Sequence, residues 1–100
     1  MSRYRLYVTP RALQEASNLP GHMRQRIKKA VKALADHPRP AGSKELDWPN
    51  VGHELRRLKL DRWRVLYAIT EADNAIDVLA VRRRPPYDYG DLEILLRELL

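Results

Sequence analysis

The chain has 100 residues, which fits one domain of about 100–150 residues and excludes a pair of enzyme domains. It carries 19 lysine and arginine residues against 13 aspartate and glutamate residues, and this net charge of +6 favours a polyanionic partner. The absence of cysteine excludes a disulfide scaffold, a thiolate zinc site and a cysteine nucleophile.

The N-terminal half of the chain predicts one strand and two helices. Residues 4–8 alternate in polarity and are rich in aromatic and β-branched side chains, which is typical of a strand. Thr9 and Pro10 match the N-cap and the first position of a helix that is expected to run to about Ser17. A second helix follows, because one apolar stripe recurs at helical spacing until a proline interrupts it. The stripe consists of Met23, Ile27, Ala30, Val31 and Leu34.

The C-terminal half predicts a loop, a meander of three strands and a last helix. The proline-rich residues 38–50 are expected to form the loop. The strand-like runs are residues 53–60, 63–70 and 75–81, and tight breaks separate them. The middle run is apolar on both parities, which is typical of a central strand covered on both faces. Asp91 is expected to cap a final helix that reaches Leu100.

These elements follow one another in the order β-α-α-β-β-β-α. We therefore predict an α+β fold in which a small, mainly antiparallel sheet packs against a helical hairpin, with a C-terminal helix at the end. The leucine-rich face of that helix either docks on the sheet of its own chain or receives a helix from a partner.

The first run of the meander places cations on one face of the predicted sheet. Its side chains alternate, with Leu55, Arg57 and Lys59 on one face and Arg56, Leu58 and Leu60 on the other. The leucines of the second set indicate a buried side, so Arg57 and Lys59 are expected to face outward. Arg64 comes just after the turn and Arg84 ends the third run, so both are expected to approach this pair.

Four cations around one phosphodiester suit the cleavage of RNA. RNA supplies its own nucleophile, the 2′-hydroxyl, so a protein must align it, stabilise the phosphorane and protonate the leaving 5′-oxygen. Guanidinium groups fork onto phosphate oxygens. Tyr87 and Tyr89 follow the cations and are suited to stack on a base or to offer a phenol oxygen. An ordinary basic edge that binds an acidic partner explains the same charges without catalysis.

Other kinds of site find little support in the sequence. The three histidines, His22, His37 and His53, match no metal-ligand spacing, and no glycine-rich phosphate loop occurs. Neither a metal nor a cofactor is therefore expected. Every apolar run is short, so no membrane span or signal peptide is expected, and the lack of cysteine is consistent with the cytoplasm.

Three segments of the chain resemble the RelE/ParE toxin superfamily. They are SKEL at residues 43–46, RLKLDRWRVLY at residues 57–67 and VLAVRRR at residues 78–84. The resemblance covers nearly the whole chain and implies a single RelE-like toxin domain over residues 1–100 with the element order given above. Toxins of the RelE branch enter the ribosomal A site and cut mRNA there. The resemblance thus implies an endoribonuclease (mRNA interferase) that inhibits translation, as part of a type II toxin–antitoxin module.

The same resemblance implies roles for individual residues. The implied catalytic set is Arg57, Arg64, Arg84 and Tyr89, with Tyr87 as the alternative tyrosine, and Lys59 is implied as a supporting cation. Arg56, Arg83 and Tyr87 are predicted to bind the substrate together with Lys59. The chain departs from the family pattern at Leu55, because a lysine at this position would supply a further base or charge. The departure leaves the identity of the general base open.

The resemblance implies two partners, which are a cognate antitoxin protein that covers the cationic face and mRNA in the ribosomal A site. The ParE branch shares the fold but poisons DNA gyrase, so gyrase inhibition is one alternative function. A non-enzymatic basic binding module is another.

Overall fold

The computed structural model of the chain describes residues 4–47 and 52–83. The elements are β1 (Arg5–Val8), α1 (Pro10–Ser17), α2 (Gly21–Leu34), β2 (Ser43–Glu45), β3 (Glu54–Leu60), β4 (Trp63–Thr70) and β5 (Ala75–Arg83). The strands form one sheet in the order β1-β5-β4-β3-β2. Strands β1 and β5 are parallel, and all other neighbours are antiparallel. The predicted α+β fold with a mainly antiparallel sheet is confirmed, and the predicted helix over residues 91–100 lies outside the described residues.

The structure adds one strand to the predicted order. Strand β2 lies inside residues 38–50, which the sequence predicts to be a loop, and it pairs with β3 through Ser43, Lys44 and Glu45. The prediction is wrong there because a three-residue edge strand with two charged side chains carries no alternating apolar signal. Its role in the sheet comes from backbone pairing with β3.

Both predicted helices are confirmed, with the predicted signals at their ends. The side chain of Thr9 accepts a hydrogen bond from the Ala12 amide at 3.2 Å, and Pro10 occupies the first helical turn of α1. Helix α2 buries Met23, Ile27, Val31 and Leu34. Within the described ranges, no helix has the length and apolarity needed to cross a lipid bilayer.

Tight turns join the three long strands. A two-residue turn links β3 to β4, and its first residue, Asp61, has a φ of 57°. A short 3₁₀ turn, Glu71–Asp73, links β4 to β5 and ends at Asn74 with a φ of 48°. Aspartate and asparagine tolerate this left-handed conformation better than most residues do. The turns therefore fix the register of the meander.

The central strand β4 is buried on both faces of the sheet, as predicted. Val65, Tyr67 and Ile69 belong to the core formed with α1 and α2 on the helix-covered face. Leu66 and Ala68 belong to a separate apolar cluster on the second face. The Tyr67 hydroxyl donates a hydrogen bond of 2.6 Å to the Pro38 carbonyl, which ties the end of the α2 region to the sheet.

Candidate functional site

Four cations lie close together on the second face of the sheet. Lys59 in β3 is directly opposite Arg64 in β4, and Arg64 is directly opposite Arg82 in β5. Neighbouring strands are about 4.8 Å apart, so this row spans about 10 Å between its outer Cα atoms. Arg57 is two residues before Lys59 and therefore shares its face. We call Arg57, Lys59, Arg64 and Arg82 the cationic patch.

A β-bulge gives Arg82 its place in the cationic patch. The register between β4 and β5 shifts by one residue, because Leu66 pairs with Ala80 whereas Tyr67 pairs with Val78. Leu79 is the extra residue. Because of this shift, the side chain of Val81 packs in the helix-covered core, and Arg82 lies on the same face of the sheet as Arg64. The sequence does not indicate that Arg82 belongs to this face. A bulged strand shows the same continuous apolar run as a regular strand that is buried on both faces, so the change of parity before Arg82 is hidden.

Arg64 is buried without a carboxylate partner among the described residues. It is 4% exposed, and its Nη1 donates hydrogen bonds of 2.9 Å to the carbonyl oxygens of Asp61 and Trp63. Its Nε is buried and has no hydrogen-bond partner in residues 4–47 and 52–83. Carbonyl oxygens orient the guanidinium but leave its full positive charge in place. A buried charge without a compensating carboxylate is costly to stability, so its presence calls for an explanation such as a role in ligand binding.

Arg57 shows the same pattern in a more open setting. It is half-buried, and its Nε is also buried, with no hydrogen-bond partner in the part of the chain that the structure describes. Its cross-strand neighbours are Leu66 in β4 and Lys44 in the short edge strand β2, and Lys44 is exposed. Lys44 thus adds a positive charge to this side of the patch, and recognising β2 would have revealed it.

Arg82 differs from the other members because a carboxylate contacts it. Its Nε donates to Oε2 of Glu15 at 3.2 Å. The other carboxylate oxygen of Glu15 accepts a hydrogen bond of 3.0 Å from the backbone amide of Val81. Glu15 belongs to α1 and is 66 residues away from Val81 in the chain, so no local sequence pattern indicates this contact.

The structure does not bring Arg56 and Arg83 to the cationic patch. Arg56 lies on the helix-covered face, where Nη1 donates to Glu54 at 2.8 Å and Nε and Nη2 donate to the Ser43 hydroxyl. Arg83 is exposed and pairs with Trp63, which also packs on that face. Both are one residue out of phase with the patch and therefore point away from it.

Leu55, the position at which the chain departs from the family pattern, lies beside the cationic patch. The predicted site residues Arg84, Tyr87 and Tyr89 lie outside the described residues. Leu55 is 2% exposed and packs in the apolar cluster of the second face with Leu66. The position at which the family pattern has a lysine is therefore filled by apolar packing next to the cationic patch.

A separate ionic network joins β3, the 3₁₀ turn after β4 and the loop after α2. Arg39 contacts Glu54 at 2.9 Å and Glu71 at 2.8 Å, and the Tyr4 hydroxyl donates to Glu71. The hydrogen bonds from Arg39 lower the pKa of both carboxyl groups and raise the pKa of Arg39. Across residues 4–47 and 52–83, no cluster of histidine, aspartate and glutamate has an arrangement that could hold a metal ion.

Comparison with known proteins gives one family and a set of solved structures. Residues 6–85 match the family model described as the ParE toxin of type II toxin–antitoxin system, parDE. The archaeal RelE–RelB complex from Pyrococcus horikoshii contains a chain with a TM-score of 0.75 and 22% identity, over 85% of this chain and 99% of that one. The isolated RelE toxin of E. coli gives a TM-score of 0.67 and 21% identity, over 97% of this chain and 99% of that one.

A third similar structure is the intact E. coli RelBE toxin–antitoxin complex. It gives a TM-score of 0.63 and 24% identity, over 80% of this chain and 95% of that one. No curated protein sequence matches the chain. At these identities, the structural matches establish a shared fold.

Proposed function

This chain belongs to the ParE toxin family of type II toxin–antitoxin systems, within the RelE/ParE superfamily, and we propose that it acts as a ribosome-dependent endoribonuclease that cleaves mRNA. The observation that carries this proposal is the cationic patch. Three of its members, Arg57, Lys59 and Arg64, have no carboxylate partner among the described residues and share one face of the sheet.

The proposed reaction is an intramolecular displacement at phosphorus. The 2′-oxygen attacks the adjacent phosphorus, the bond to the 5′-oxygen breaks, and the products carry a 2′,3′-cyclic phosphate and a 5′-hydroxyl. The 2′-hydroxyl loses its proton to a base or to water, and the leaving 5′-oxygen gains one. The extra negative charge that develops on the phosphorane is the charge that fixed cations can stabilise.

The members of the patch divide this work by their settings. Arg64 is held by two backbone carbonyls, so its guanidinium is preorganised and is suited to fork onto the phosphorane oxygens. Arg57 presents a second guanidinium on the same face. Lys59 is exposed and adds a mobile ammonium that neutralises charge or supplies a proton. By the family resemblance, Arg84 completes the cations and Tyr89 stacks on the substrate.

A cognate antitoxin is the proposed protein partner. Two of the similar structures are toxin–antitoxin complexes, from Pyrococcus horikoshii and from E. coli. The net charge of +6 favours an acidic antitoxin segment. We expect that segment to inhibit the toxin by covering the cationic patch.

Primer extension on an mRNA translated in a purified translation system tests the proposal. The wild-type chain is expected to produce cuts in phase with codons, and free mRNA without ribosomes is expected to remain intact. Arg57→Ala is expected to lower the rate by about 100- to 1,000-fold, because one donor to the transition state is lost. The matched control is Arg56→Ala on the opposite face of the same strand, which is expected to cut at nearly the wild-type rate.

Gyrase inhibition is the second candidate, and the match of residues 6–85 to a family model named for ParE favours it. A supercoiling assay with purified gyrase separates the two. If the chain inhibits supercoiling and leaves mRNA intact in the translation system, gyrase inhibition is supported and the endoribonuclease proposal is refuted. Salt-sensitive RNA binding with neither effect would leave a non-enzymatic binding module.

A further inference from the structure

Strand β5 loses its outer neighbour halfway along its length. Its first four residues, Ala75–Val78, pair with β1, and the amide of Thr9 then donates to the Val78 carbonyl at 3.1 Å. From there the chain turns into α1, so no strand among the described residues pairs with the second half of β5 on this side. Backbone amides on an edge need acceptors when they are shielded from water.

Within the described part of the chain, Glu15 supplies the acceptor that a neighbouring strand would otherwise provide. One carboxylate oxygen accepts from the Val81 amide at 3.0 Å, as a strand carbonyl would, and the other accepts from Arg82 Nε at 3.2 Å. The side chains of Glu15 and Arg82 are 27% and 18% exposed, so both contacts are partly shielded from solvent. The Glu15 side chain of α1 thereby holds both the Val81 backbone and the Arg82 guanidinium at the end of β5.

The placement of Glu15 bears on the cationic patch through two physical effects. Arg64 is directly opposite both Lys59 and Arg82, and like charges in that arrangement repel. The carboxylate of Glu15 offsets this repulsion at the Arg82 end of the row. The hydrogen bond to Val81 also resists outward movement of the strand end, just beyond the bulge at which its register is set.

We propose that Glu15 is a positioning residue for RNA cleavage, because its contacts with Val81 and Arg82 fix the end of β5 against Arg64. This inference rests on the proposed endoribonuclease function. Glu15 does not touch the RNA, so its loss acts on turnover through geometry. Displacement of a positioned group by about 1 Å reduces rates by up to about 100-fold.

Two substitutions at this position separate its two contacts. Glu15→Gln retains a carbonyl oxygen for the Val81 amide but loses the charge that holds Arg82. Glu15→Ala loses both contacts. We expect kcat to fall by about 10-fold or more in Glu15→Ala and by about 3-fold in Glu15→Gln, with KM for programmed ribosomes nearly unchanged in both.

Amide hydrogen exchange at Val81 gives a readout that turnover alone does not. Exchange is expected to be faster in Glu15→Ala and to return close to the wild-type rate in Glu15→Gln. The matched control is Glu71→Gln, which removes a carboxylate from the ionic network with Arg39 and Tyr4. This control is expected to change neither kcat nor exchange at Val81.

Wild-type kcat in Glu15→Ala overturns the positioning role of Glu15. A loss of activity that matches only the fraction of unfolded protein overturns it as well. A lower KM with unchanged kcat also overturns it, because Glu15 would then merely weaken RNA binding by Arg82. An inactive wild-type chain overturns the endoribonuclease proposal together with this role, whereas an active wild type with equally active variants overturns this role alone.

Discussion

Replacement of Arg64 by methionine is expected to stabilise the fold and abolish RNA cleavage. Arg64 is 4% exposed, and its two hydrogen bonds go to the carbonyls of Asp61 and Trp63 beside an exposed turn. Water can replace the guanidinium at these carbonyls, so loss of the bonds costs about 1 kcal/mol or less each. Methionine is unbranched and flexible, and it fills most of the volume that arginine occupies.

The gain from the same substitution is larger. The Nε of Arg64 has no partner among the described residues, and this costs about 1–3 kcal/mol in the folded state. Burial of the charge costs several kcal/mol more before its hydrogen bonds offset it. Repulsion from Lys59 and Arg82 on the flanking strands also disappears. We expect the free energy of unfolding to rise by about 1–2 kcal/mol, within the range seen when buried charges are replaced by apolar groups.

Arg56→Met provides the matched control, since it exchanges the same side chains on the opposite face. Arg56 donates to Glu54 and to the Ser43 hydroxyl, so its loss is expected to lower the free energy of unfolding by about 1–2 kcal/mol. Urea unfolding with an unchanged m value measures both effects. Cleavage is expected to show the reverse pattern, with a loss of about 100-fold or more for Arg64→Met and little change for Arg56→Met. Destabilisation by Arg64→Met with retained cleavage would refute the reasoning, because Arg64 would then be a structural residue.

Three further substitutions test the fold around the site. Tyr67→Phe leaves the half-buried Pro38 carbonyl without the Tyr67 donor and is expected to lower the free energy of unfolding by about 1–2 kcal/mol in urea titration. Burial raises the pKa of the Asp77 carboxyl above its ordinary value. The protonated carboxyl therefore stabilises the fold at low pH, and this contribution is lost as pH rises through the folded-state pKa. Asp77→Asn is therefore expected to raise Tm at pH 7 and to have little effect at pH 3, and an equal effect at both would contradict this. Thr9→Ala is expected to cost about 1 kcal/mol through loss of the N-cap, whereas Thr9→Ser should be close to wild type.

Much of the fold follows from signals that are local in the sequence. Helix α1 could be predicted because Thr9 and Pro10 supply a cap and a fixed φ at adjacent positions. The hairpin of β3 and β4 could be predicted because a two-residue break separates two apolar runs. The same alternation correctly separates Arg57 from Arg56, since the parity of a strand assigns side chains to faces whatever covers those faces.

The features that were missed depend on contacts between distant segments. Strand β2 exists because β3 offers it a partner, and its own residues have no strand pattern. The bulge at Leu79 reverses the parity of the last part of β5, and a continuous apolar run conceals such a shift. Parity also predicts which face Arg64 is on but not how deeply it is buried. Glu15 is invisible at the sequence level because its contacts with β5 join residues far apart in the chain.

The chemistry of the cut ends tests the central claim most directly. An mRNA with a single 2′-deoxynucleotide at the cleavage position is compared with the all-ribose message on ribosomes, and the product ends are identified by mass spectrometry. We predict a 2′,3′-cyclic phosphate and a 5′-hydroxyl from the all-ribose message, and no cleavage at the deoxynucleotide. Cleavage at the deoxynucleotide, or products with 5′-phosphate ends, would contradict the account, because water and not the 2′-oxygen would then attack the phosphodiester.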